Sequence, residues 1–269
     1  MRKLSLVAVA VLAVSGGIPA CSSSSSPPPV LGSGSGGGGG SSGTGSSSGS
    51  SSSGGSSGGS SGGLTYDISG TVEDSATDAP LDSVSFCLLN APTVCTTSDS
   101  NGLFTVAGVA ESGSGFTAAL TGYVTGVWPF TPTKNSMFSP YLRSTQHIST
   151  WAIQAGTTFD ATTGVIIFET YDGSDNPLSG ASVTTSVAGT VVYFSSMGTG
   201  LDPTLTATTA SGFAMAFQIA PGDVNVTFTA PGLTCARDEA EGWNPSSSSA
   251  TTQVPVFAGE FTVARASCL

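Results

Sequence analysis

The feature that most constrains the fold of this chain is an internal repeat of strands and turns. A run of apolar and small residues around Ile68 is followed twelve positions later by Pro80-Leu81, and a similar run at Val165 is followed twelve positions later by Pro177-Leu178. Self-similarity of this kind predicts one structural unit that is used twice. Any fold for this chain must therefore place two equivalent units between residues 64 and 269.

The later landmarks of the two copies agree in order and in spacing. A turn with glycine precedes a strand at Gly102 in the first copy and at Gly212 in the second, and a further glycine follows twenty positions later in each, at Gly122 and Gly232. Between these glycines, apolar and polar residues alternate, which is the period of a strand with one buried face. The alternating apolar positions are Phe116, Ala118 and Leu120 in one copy and Val224, Val226 and Phe228 in the other. The repeat predicts mainly β structure.

These blocks resemble the carboxypeptidase regulatory-like domain, a transthyretin-like β-sandwich. The residues that carry the resemblance are Ile68 to Val72, Pro80-Leu81, Asp99 to Phe104 and Gly122-Tyr123, and the second copy departs from the pattern because Leu233 replaces the final Tyr. The resemblance spans most of 64–124 and 163–234. It implies two tandem transthyretin/Ig-like β-sandwich domains, of a kind that accompanies metallocarboxypeptidases and many surface proteins without being catalytic.

The segment between the copies and an insertion in the second copy complete the expected organisation. Ser144 to Ala155 is predicted to form one short helix that buries Ile148, Trp151, Ala152 and Ala155 and stops at Gly156. The second copy is longer by 13 residues, and its insertion holds Val191 to Phe194 and Asp202-Pro203, which predict an extra hairpin. The expected division is a signal peptide at 1–20, a lipidated Cys and linker at 21–63, a first sandwich at 64–126, a connector at 127–162 and a second sandwich at 163–269.

The first residues have the three parts of a secretory signal. Arg2 and Lys3 are followed by an apolar run from Leu4 to Val14, which is too short to span a bilayer comfortably. Ile18-Pro19-Ala20-Cys21 resembles the lipobox of bacterial lipoproteins, so Cys21 is predicted to carry the lipid that anchors the chain to a membrane. The alternative is an ordinary signal peptide that is cut after Ala20 and leaves Cys21 as a free thiol.

Residues 22–63 consist almost entirely of Ser, Gly and Pro, with Val30, Leu31 and Thr44 as the exceptions. Such a segment has too little apolar surface to offset its chain entropy, so we expect a disordered linker. A Gly/Ser coil of this length spans roughly 35 Å. The expected location is the bacterial cell envelope, as an outer-membrane lipoprotein that faces the periplasm or the cell surface.

Four cysteines remain once Cys21 is assigned to the lipid, and they allow three pairings. A hairpin centred near Ala91 places Cys87 and Cys95 directly opposite each other, which favours the pairs Cys87–Cys95 and Cys235–Cys268. Zinc is the rival explanation, but the chain has no C-x-x-C and a single His. We therefore expect disulfides, no metal and no cofactor.

The charge balance bears on partners. The formal net charge is −11, and removal of the signal leaves Lys134, Arg143, Arg237 and Arg265 against 17 acidic residues. No basic patch is present in the sequence, so nucleic acid is not an expected partner. The expected partners are the membrane, through the lipid, and an envelope protein or polysaccharide.

A few residues are candidates for catalysis or metal binding. His147 could be the base of a hydrolase triad, but no Gly-x-Ser-x-Gly elbow accompanies it, and a surface His on a helix is the simpler interpretation. Asp99-Ser100-Asn101-Gly102 begins like a calcium loop, yet Leu103 occupies the third ligand position, which favours a hairpin turn. Asp172, Asp175 and Asn176 form an acidic turn for which weak Ca²⁺ binding is the alternative to solvated charges. No catalytic residues are predicted.

The three tryptophans suggest a second class of function, because aromatic rings on a sandwich can stack on sugar faces. Core or junction packing is expected for Trp151 and is an equal alternative for Trp128, whereas Trp243 lies in a polar Gly-Trp-Asn-Pro loop. The first hypothesis is a non-catalytic cell-envelope lipoprotein that displays its sandwiches for structural or protein-interaction roles. The alternative is a carbohydrate-binding surface module centred on Trp243, and an orphan hydrolase is a third option.

Overall fold

The computed structural model describes residues 65–110, 114–130, 135–237 and 251–269. The signal, Cys21, the linker and Trp243 lie outside the described residues, so the predictions made for them stay predictions. Within the described ranges, no helix is long and apolar enough to cross a membrane.

The described residues form nineteen strands and one helix, which confirms the prediction of a mainly β fold. The first half contains β1 Thr65–Thr71, β2 Glu73–Asp74, β3 Ser85–Leu88, β4 Ala91–Thr97, β5 Leu103–Ala110, β6 Ser114–Ala119, β7 Tyr123–Val124, β8 Gly126–Phe130, β9 Ser136–Met137, β10 Tyr141–Ser144 and α1 Thr145–Gln154. The second half contains β11 Gly164–Asp172, β12 Ser182–Thr185, β13 Thr190–Phe194, β14 Leu201–Asp202, β15 Phe213–Ile219, β16 Gly222–Thr229, β17 Cys235–Arg237, β18 Thr251–Val256 and β19 Phe261–Cys268.

A ten-stranded sheet forms the middle of the fold. Its order is β14-β13-β15-β11-β19-β8-β6-β3-β4, and β17 pairs with β19 beside this path. Three smaller sheets accompany it, with the orders β5-β1-β9, β12-β16-β18 and β2-β10-β7. Strand pairs are antiparallel except where β19 runs parallel to β11 and to β8, where β9 runs parallel to β1, and where β2 runs parallel to β10.

The sequence repeat is present in the strand pairing. β1 pairs antiparallel with β5 and β3 with β6 in the first copy, while β11 pairs antiparallel with β15 and β12 with β16 in the second. The turn glycines are also equivalent, because the carbonyl of Gly102 accepts from Val72 N and that of Gly212 accepts from Thr170 N, each at 2.9 Å. The landmarks read from the sequence therefore mark the same local structure in both copies.

Burial on both faces of the long sheet explains the continuous apolar runs of the second copy. In β11, Val165 and Ile167 belong to one core cluster, and Ile166 and Phe168 belong to the other. A strand that is buried on both faces carries apolar residues at every position rather than at alternate ones. β15 and β19 contribute to both cores in the same way. The result is three layers: the β5-β1-β9 sheet with α1, the ten-stranded sheet, and the β12-β16-β18 sheet.

The predicted helix and the predicted insertion hairpin are both confirmed. Ser144 is the N-cap of α1, and its side chain accepts a hydrogen bond from the backbone N of His147 at 3.2 Å. The helix buries Ile148, Trp151 and Ala152, and Gly156 follows its C-cap with φ 72°. In the insertion, β13 pairs antiparallel with β14.

Both predicted disulfides are present. Cys87 is bonded to Cys95 and Cys235 is bonded to Cys268. In each pair the two cysteines are directly opposite each other on antiparallel strands, β3 with β4 and β17 with β19.

Strands from the two copies share one sheet. β8 begins at Gly126, pairs antiparallel with β6 of the first copy, and pairs parallel with β19 near the chain end, where Gly126 is opposite Phe261. The described residues belong to one compact unit. The division into sandwiches at 64–126 and 163–269 stays a prediction, but the segment expected to connect them supplies most of β8 together with β9 and β10.

Candidate functional site

A cavity of about 590 Å³ lies beside the first turns of α1, and we call it the Arg143 cavity. Arg143 enters it from β10, His147 and Trp151 from α1, and Phe194 and Phe213 from the second copy. Its size falls in the range of small-molecule sites, which are lined mainly by apolar and aromatic groups with a few polar ones. The remaining lining residues are Ser75, Ala76, Asp78, Tyr141, Ile167, Gly198 and Thr199.

Arg143 is the buried charge of this cavity. Arg143 is 9% exposed, and its Nη1 donates a hydrogen bond to the carbonyl of Tyr141 at 2.8 Å. The guanidinium lies 5.1 Å from the ring centre of Phe261, within the range of a cation–π contact. Nε is buried and has no hydrogen-bond partner among the described residues. Burial lowers the pKa of Arg143 to about 10, against the opposite effect of Glu169, so the group is charged at neutral pH.

Ser75 supplies a second polar atom without a partner. It follows β2, and its backbone N donates to the carbonyl of Leu142 at 3.0 Å, which fixes the turn against β10. Its Oγ is buried and makes no hydrogen bond within the described part of the chain. Buried polar atoms are rarely left in this state, because each loses its hydrogen bonds to water. Ser75 and Arg143 both line the same cavity.

His147 is half-buried on the cavity side of α1, and its ring centre lies 4.0 Å from that of Trp151. Burial lowers the pKa of His147, the nearby Arg143 lowers it further, and Asp74 opposes them. The imidazole is therefore neutral at pH 7. The structure brings His147 and Ser75 to one cavity, but the Ser75 Oγ makes no hydrogen bond to the imidazole. The pair lacks the contact that defines a nucleophile and its base.

The turn that carries Ser75 is held by Asp74. Tyr123 Oη donates to Asp74 Oδ2 at 2.7 Å, while the backbone N atoms of Ala76 and Thr77 donate to Oδ1 at 2.8 and 3.0 Å. Burial favours the neutral acid, but these hydrogen bonds outweigh it and lower the pKa of Asp74. The hydrogen bond to Asp74, with burial, raises the pKa of Tyr123 to about 12.

A second cavity of about 300 Å³ adjoins Arg143 and also contains Glu169, Arg265 and Tyr171. Tyr171 Oη donates to Glu169 Oε2 at 3.2 Å, and the Arg265 guanidinium lies 4.1 Å from the Tyr171 ring centre. Arg265 Nη2 reaches Asp175 Oδ1 at 3.4 Å. Burial raises the pKa of Glu169, although Arg143, Arg265 and the Tyr171 hydroxyl act in the opposite direction. The charged side chains around this cavity therefore have partners within the group, Tyr171 for Glu169 and Asp175 for Arg265.

The acidic turns use their carboxylates for local structure. Asp99 Oδ1 accepts from the backbone N atoms of Asn101 and Leu103, at 2.8 and 2.9 Å, which confirms the expected turn. Asp172 Oδ1 accepts from Ser174 N and Asn176 N at 2.8 and 3.0 Å. Among the described residues, no group of three or more His, Cys, Asp or Glu side chains could hold a metal ion.

Two of the three tryptophans belong to the core. Trp128 is 5% exposed and packs on Phe116, and Trp151 is 6% exposed and packs edge-on against Phe194. Neither ring is presented on the surface for stacking on a sugar. The placement of Trp243 is outside the described residues.

Arg143, Ser75 and Phe194 have no functional role predicted from the sequence. The available signal was Arg143 itself, since it is one of few basic residues and lies in a connector rich in proline and aromatic residues. Its partners could not be found in this way, because Ser75 and Phe194 are far away in sequence and belong to different copies of the repeat.

Comparisons with known proteins assign no family to this chain. No family model matches the chain, and no curated protein matches it. Each of three similar solved structures aligns with 76% of this chain, and this chain covers 34%, 62% and 98% of theirs. They are the Bacillus anthracis TIE protein (12% identity, TM-score 0.24), a streptococcal ancillary pilin (13%, 0.23) and the shaft pilin SpaA from Lactobacillus rhamnosus GG (13%, 0.23).

The chain thus spans about a third of the TIE protein and less than two thirds of the ancillary pilin. At these identities and TM-scores, the likenesses assign neither a family nor a function. The fold is a mainly β arrangement of packed sheets, and the resemblance to the carboxypeptidase regulatory-like domain stays a prediction.

Proposed function

We propose that this chain is a non-catalytic cell-envelope lipoprotein that displays a disulfide-bonded β-sandwich structure for structural or protein-interaction roles. The observation that carries the proposal is the pair of disulfides, each between directly opposite residues of antiparallel strands. Disulfides of this kind form in oxidising compartments and are rare in the cytosol. They support export of the folded part, which agrees with the secretory signal expected from the first twenty residues.

The lipid explains how an exported chain of this composition stays at the envelope. Cys21 follows the aliphatic and small residues of a lipobox, and the Ser/Gly linker then separates it from β1. A lipid anchor with a flexible linker keeps a folded unit near the membrane while leaving its surface open to partners. The proposed location is the bacterial outer membrane, facing the periplasm or the cell surface.

Metabolic labelling with a palmitate analogue, combined with cell fractionation, tests the anchor. We expect the wild-type chain to be labelled and to sediment with membranes, and Cys21→Ser to be unlabelled and released. Ser22→Ala is the matched control, because it changes the next residue without removing the thiol. Unchanged membrane association of Cys21→Ser would contradict the lipoprotein proposal and leave the other arrangement, cleavage after Ala20, to be examined.

Carbohydrate binding is the second candidate function. The observation in its favour is that Trp128 and Trp151 are buried in the core, so Trp243 is the tryptophan still eligible as a sugar platform. A glycan array followed by titration tests this candidate. Saturable binding that is lost in Trp243→Ala but kept in Phe257→Ala, which removes another exposed aromatic ring, would favour it over the interaction role. Equal binding by both variants would contradict it.

A further inference from the structure

We propose that the Arg143 cavity binds a small molecule that carries one carboxylate on an apolar body. The carboxylate is received by Arg143 and Ser75, and the apolar body lies against Phe194, Phe213 and Ile167. Nothing in the proposed envelope role requires such a site, so the inference is independent of it.

Arg143 has hydrogen-bond donors that the described residues leave unused. A guanidinium has five N–H donors in a planar fork, and that of Arg143 makes one hydrogen bond to the described residues, from Nη1 to the carbonyl of Tyr141. Nε is buried without a partner. Among the described residues no carboxylate forms an ion pair with Arg143 within 4.0 Å, and Glu169 acts on it from a greater distance. A buried cation in this state is strongly stabilised by an anion that reaches it.

Two residues with buried polar atoms line the same cavity. The Ser75 Oγ also lacks a partner, and both residues line the same space. A carboxylate accepts hydrogen bonds at two oxygens, so one group could satisfy both the guanidinium and the hydroxyl. Arg143 belongs to β10 and Ser75 to the turn after β2, and that turn is fixed independently by the hydrogen bonds to Asp74.

The charges that line the cavity favour a ligand with one negative charge. Asp78 lines the cavity, and Arg143 is the permanent cation in it, because the His147 imidazole is neutral at pH 7. A dianion such as a phosphate monoester would meet one cation and one carboxylate, which is an unfavourable balance. A planar monoanion matches a single guanidinium fork, so the chemistry favours a carboxylate.

The remaining lining of the cavity suits an apolar group on the ligand. Ile167, Phe194 and Trp151 are buried core residues that present apolar surface to the cavity, and Phe213 lies beside them. A volume of about 590 Å³ accommodates a ring-sized apolar group in addition to the carboxylate. Ala76 and Thr199 are exposed lining residues, which places them where a ligand would enter.

Isothermal titration of the full mature protein in detergent, with detergent alone as the blank, tests the proposal. The probes are phenylacetate, 3-phenylpropionate and indole-3-acetate, each compared with its neutral amide. We expect at least one carboxylate to bind saturably and its amide to bind at least about tenfold more weakly, since the charge-assisted hydrogen bonds to Arg143 are lost. Absence of saturable binding by all three carboxylates would overturn the proposal, as would equal binding of the amides.

Variants locate the site. Arg143→Met should weaken carboxylate binding by at least about tenfold, and Ser75→Ala should weaken it by a few fold. Ser149→Ala is the matched control for Ser75→Ala, because it removes a serine hydroxyl of α1 that does not line the cavity, and it should leave the affinity within about twofold. If Arg143→Met does not fold, Thr199→Trp decides the question, since an indole at the exposed rim should block entry. Undiminished binding by Thr199→Trp would place the ligand elsewhere and sink the proposal.

Discussion

The hydrogen bond from Tyr123 to Asp74 joins the turn of the candidate site to β7. Tyr123→Phe removes it, and we expect the free energy of unfolding at neutral pH to fall by about 1 kcal/mol. The pKa of Asp74 is lower in the folded state than its ordinary value of 3.8, so the stability from this carboxylate is present above that value and is lost as the pH falls through the folded-state pKa. The difference between variant and wild type should therefore shrink in acid.

Urea unfolding at pH 7 and at pH 3 measures this effect, and NMR titration of Asp74 reports its pKa directly. The pKa of Asp74 should rise in Tyr123→Phe. Tyr66→Phe serves as a control at another half-buried tyrosine of the same copy. A Tyr66→Phe variant that loses as much stability as Tyr123→Phe, with the same pH dependence, would contradict the role assigned to the Asp74 hydrogen bond.

Gly102 is required by two separate conditions, a left-handed backbone and lack of space. Its φ is 73°, and a Cβ there would lie 2.5 Å from the backbone carbonyl oxygen of Val72. Gly122 has φ 89° but open space around the same position. We expect Gly122→Ala to cost about 1 kcal/mol from backbone strain alone. Gly102→Ala should cost about 2 kcal/mol or more, because the Val72 carbonyl must also move.

Thermal and urea unfolding of the two variants measure the difference. Gly212 is the counterpart of Gly102 in the second copy, with φ 71° and the carbonyl oxygen of Thr170 at 2.7 Å from its Cβ position. Gly212→Ala should therefore behave like Gly102→Ala rather than like Gly122→Ala. Equal costs for Gly102→Ala and Gly122→Ala would show that the close approach of the carbonyl does not matter.

At the level of elements, the two disulfides close loops of different length and lie in different surroundings. Cys87–Cys95 spans 8 positions on the exposed edge hairpin, and Cys235–Cys268 spans 33 and is buried. Loop-closure entropy assigns about 2.5 kcal/mol to the first and about 3.7 kcal/mol to the second. Replacing Cys235 and Cys268 by Ala should therefore destabilise the fold more than replacing Cys87 and Cys95.

Urea midpoints of the two double variants test this order, and mass spectrometry after graded reduction tests accessibility. The exposed Cys87–Cys95 bond should be reduced first, because a thiol reagent reaches it without unfolding the core. Reduction of Cys235–Cys268 at the same reagent concentration would show that the β17–β19 pair opens readily in the native state.

The elements that could be predicted are those specified by nearby residues. Ser144 and Gly156 delimit α1 from the sequence, and the structure places the N-cap and the left-handed glycine at these positions. The opposition of Cys87 and Cys95 followed from a single turn between them. The pairing of β8 with β19 could not be predicted, because Gly126 and Phe261 are brought together by a fold in which many intervening strands must already be placed.

The same limit applies to the candidate site. The sequence placed His147 and Trp151 on one predicted helix without assigning a contact between them, and the structure packs their rings together. Arg143 became a candidate binding residue only once its burial was known. No local sequence pattern shows whether an arginine on a strand is buried or faces water. Its apolar neighbours Phe194 and Phe213 come from the second copy, so the cavity depends on how the two copies meet.

For the molecule as a whole, the deciding feature is the sheet that both copies share. Val165, Ile167, Phe261 and Val263 of the second copy belong to the same core cluster as Phe86 and Phe116 of the first. The apolar run of β11 reflects burial on both faces of the shared sheet, because a strand with one solvated face would not bury every position from Val165 to Phe168. The division into two tandem sandwiches stays a prediction, and the repeat spacing on which it rests carries no information about this shared core.

This arrangement makes a prediction about folding. If the first copy and the connector are expressed as 64–162, β8 lacks its partner β19 and the core cluster loses the side chains that β11, β13, β15 and β19 supply. Exposing this apolar surface costs roughly 25 cal/mol per Å², whereas the whole stability of a typical domain is only about 5–15 kcal/mol. We expect 64–162 to be unfolded or aggregated alone, and the intact chain to unfold in one cooperative transition followed equally by Trp fluorescence and by circular dichroism. Two resolved transitions, or a 64–162 fragment with dispersed amide NMR signals, would show instead that the repeat copies are independent domains and that the shared sheet adds little to their stability.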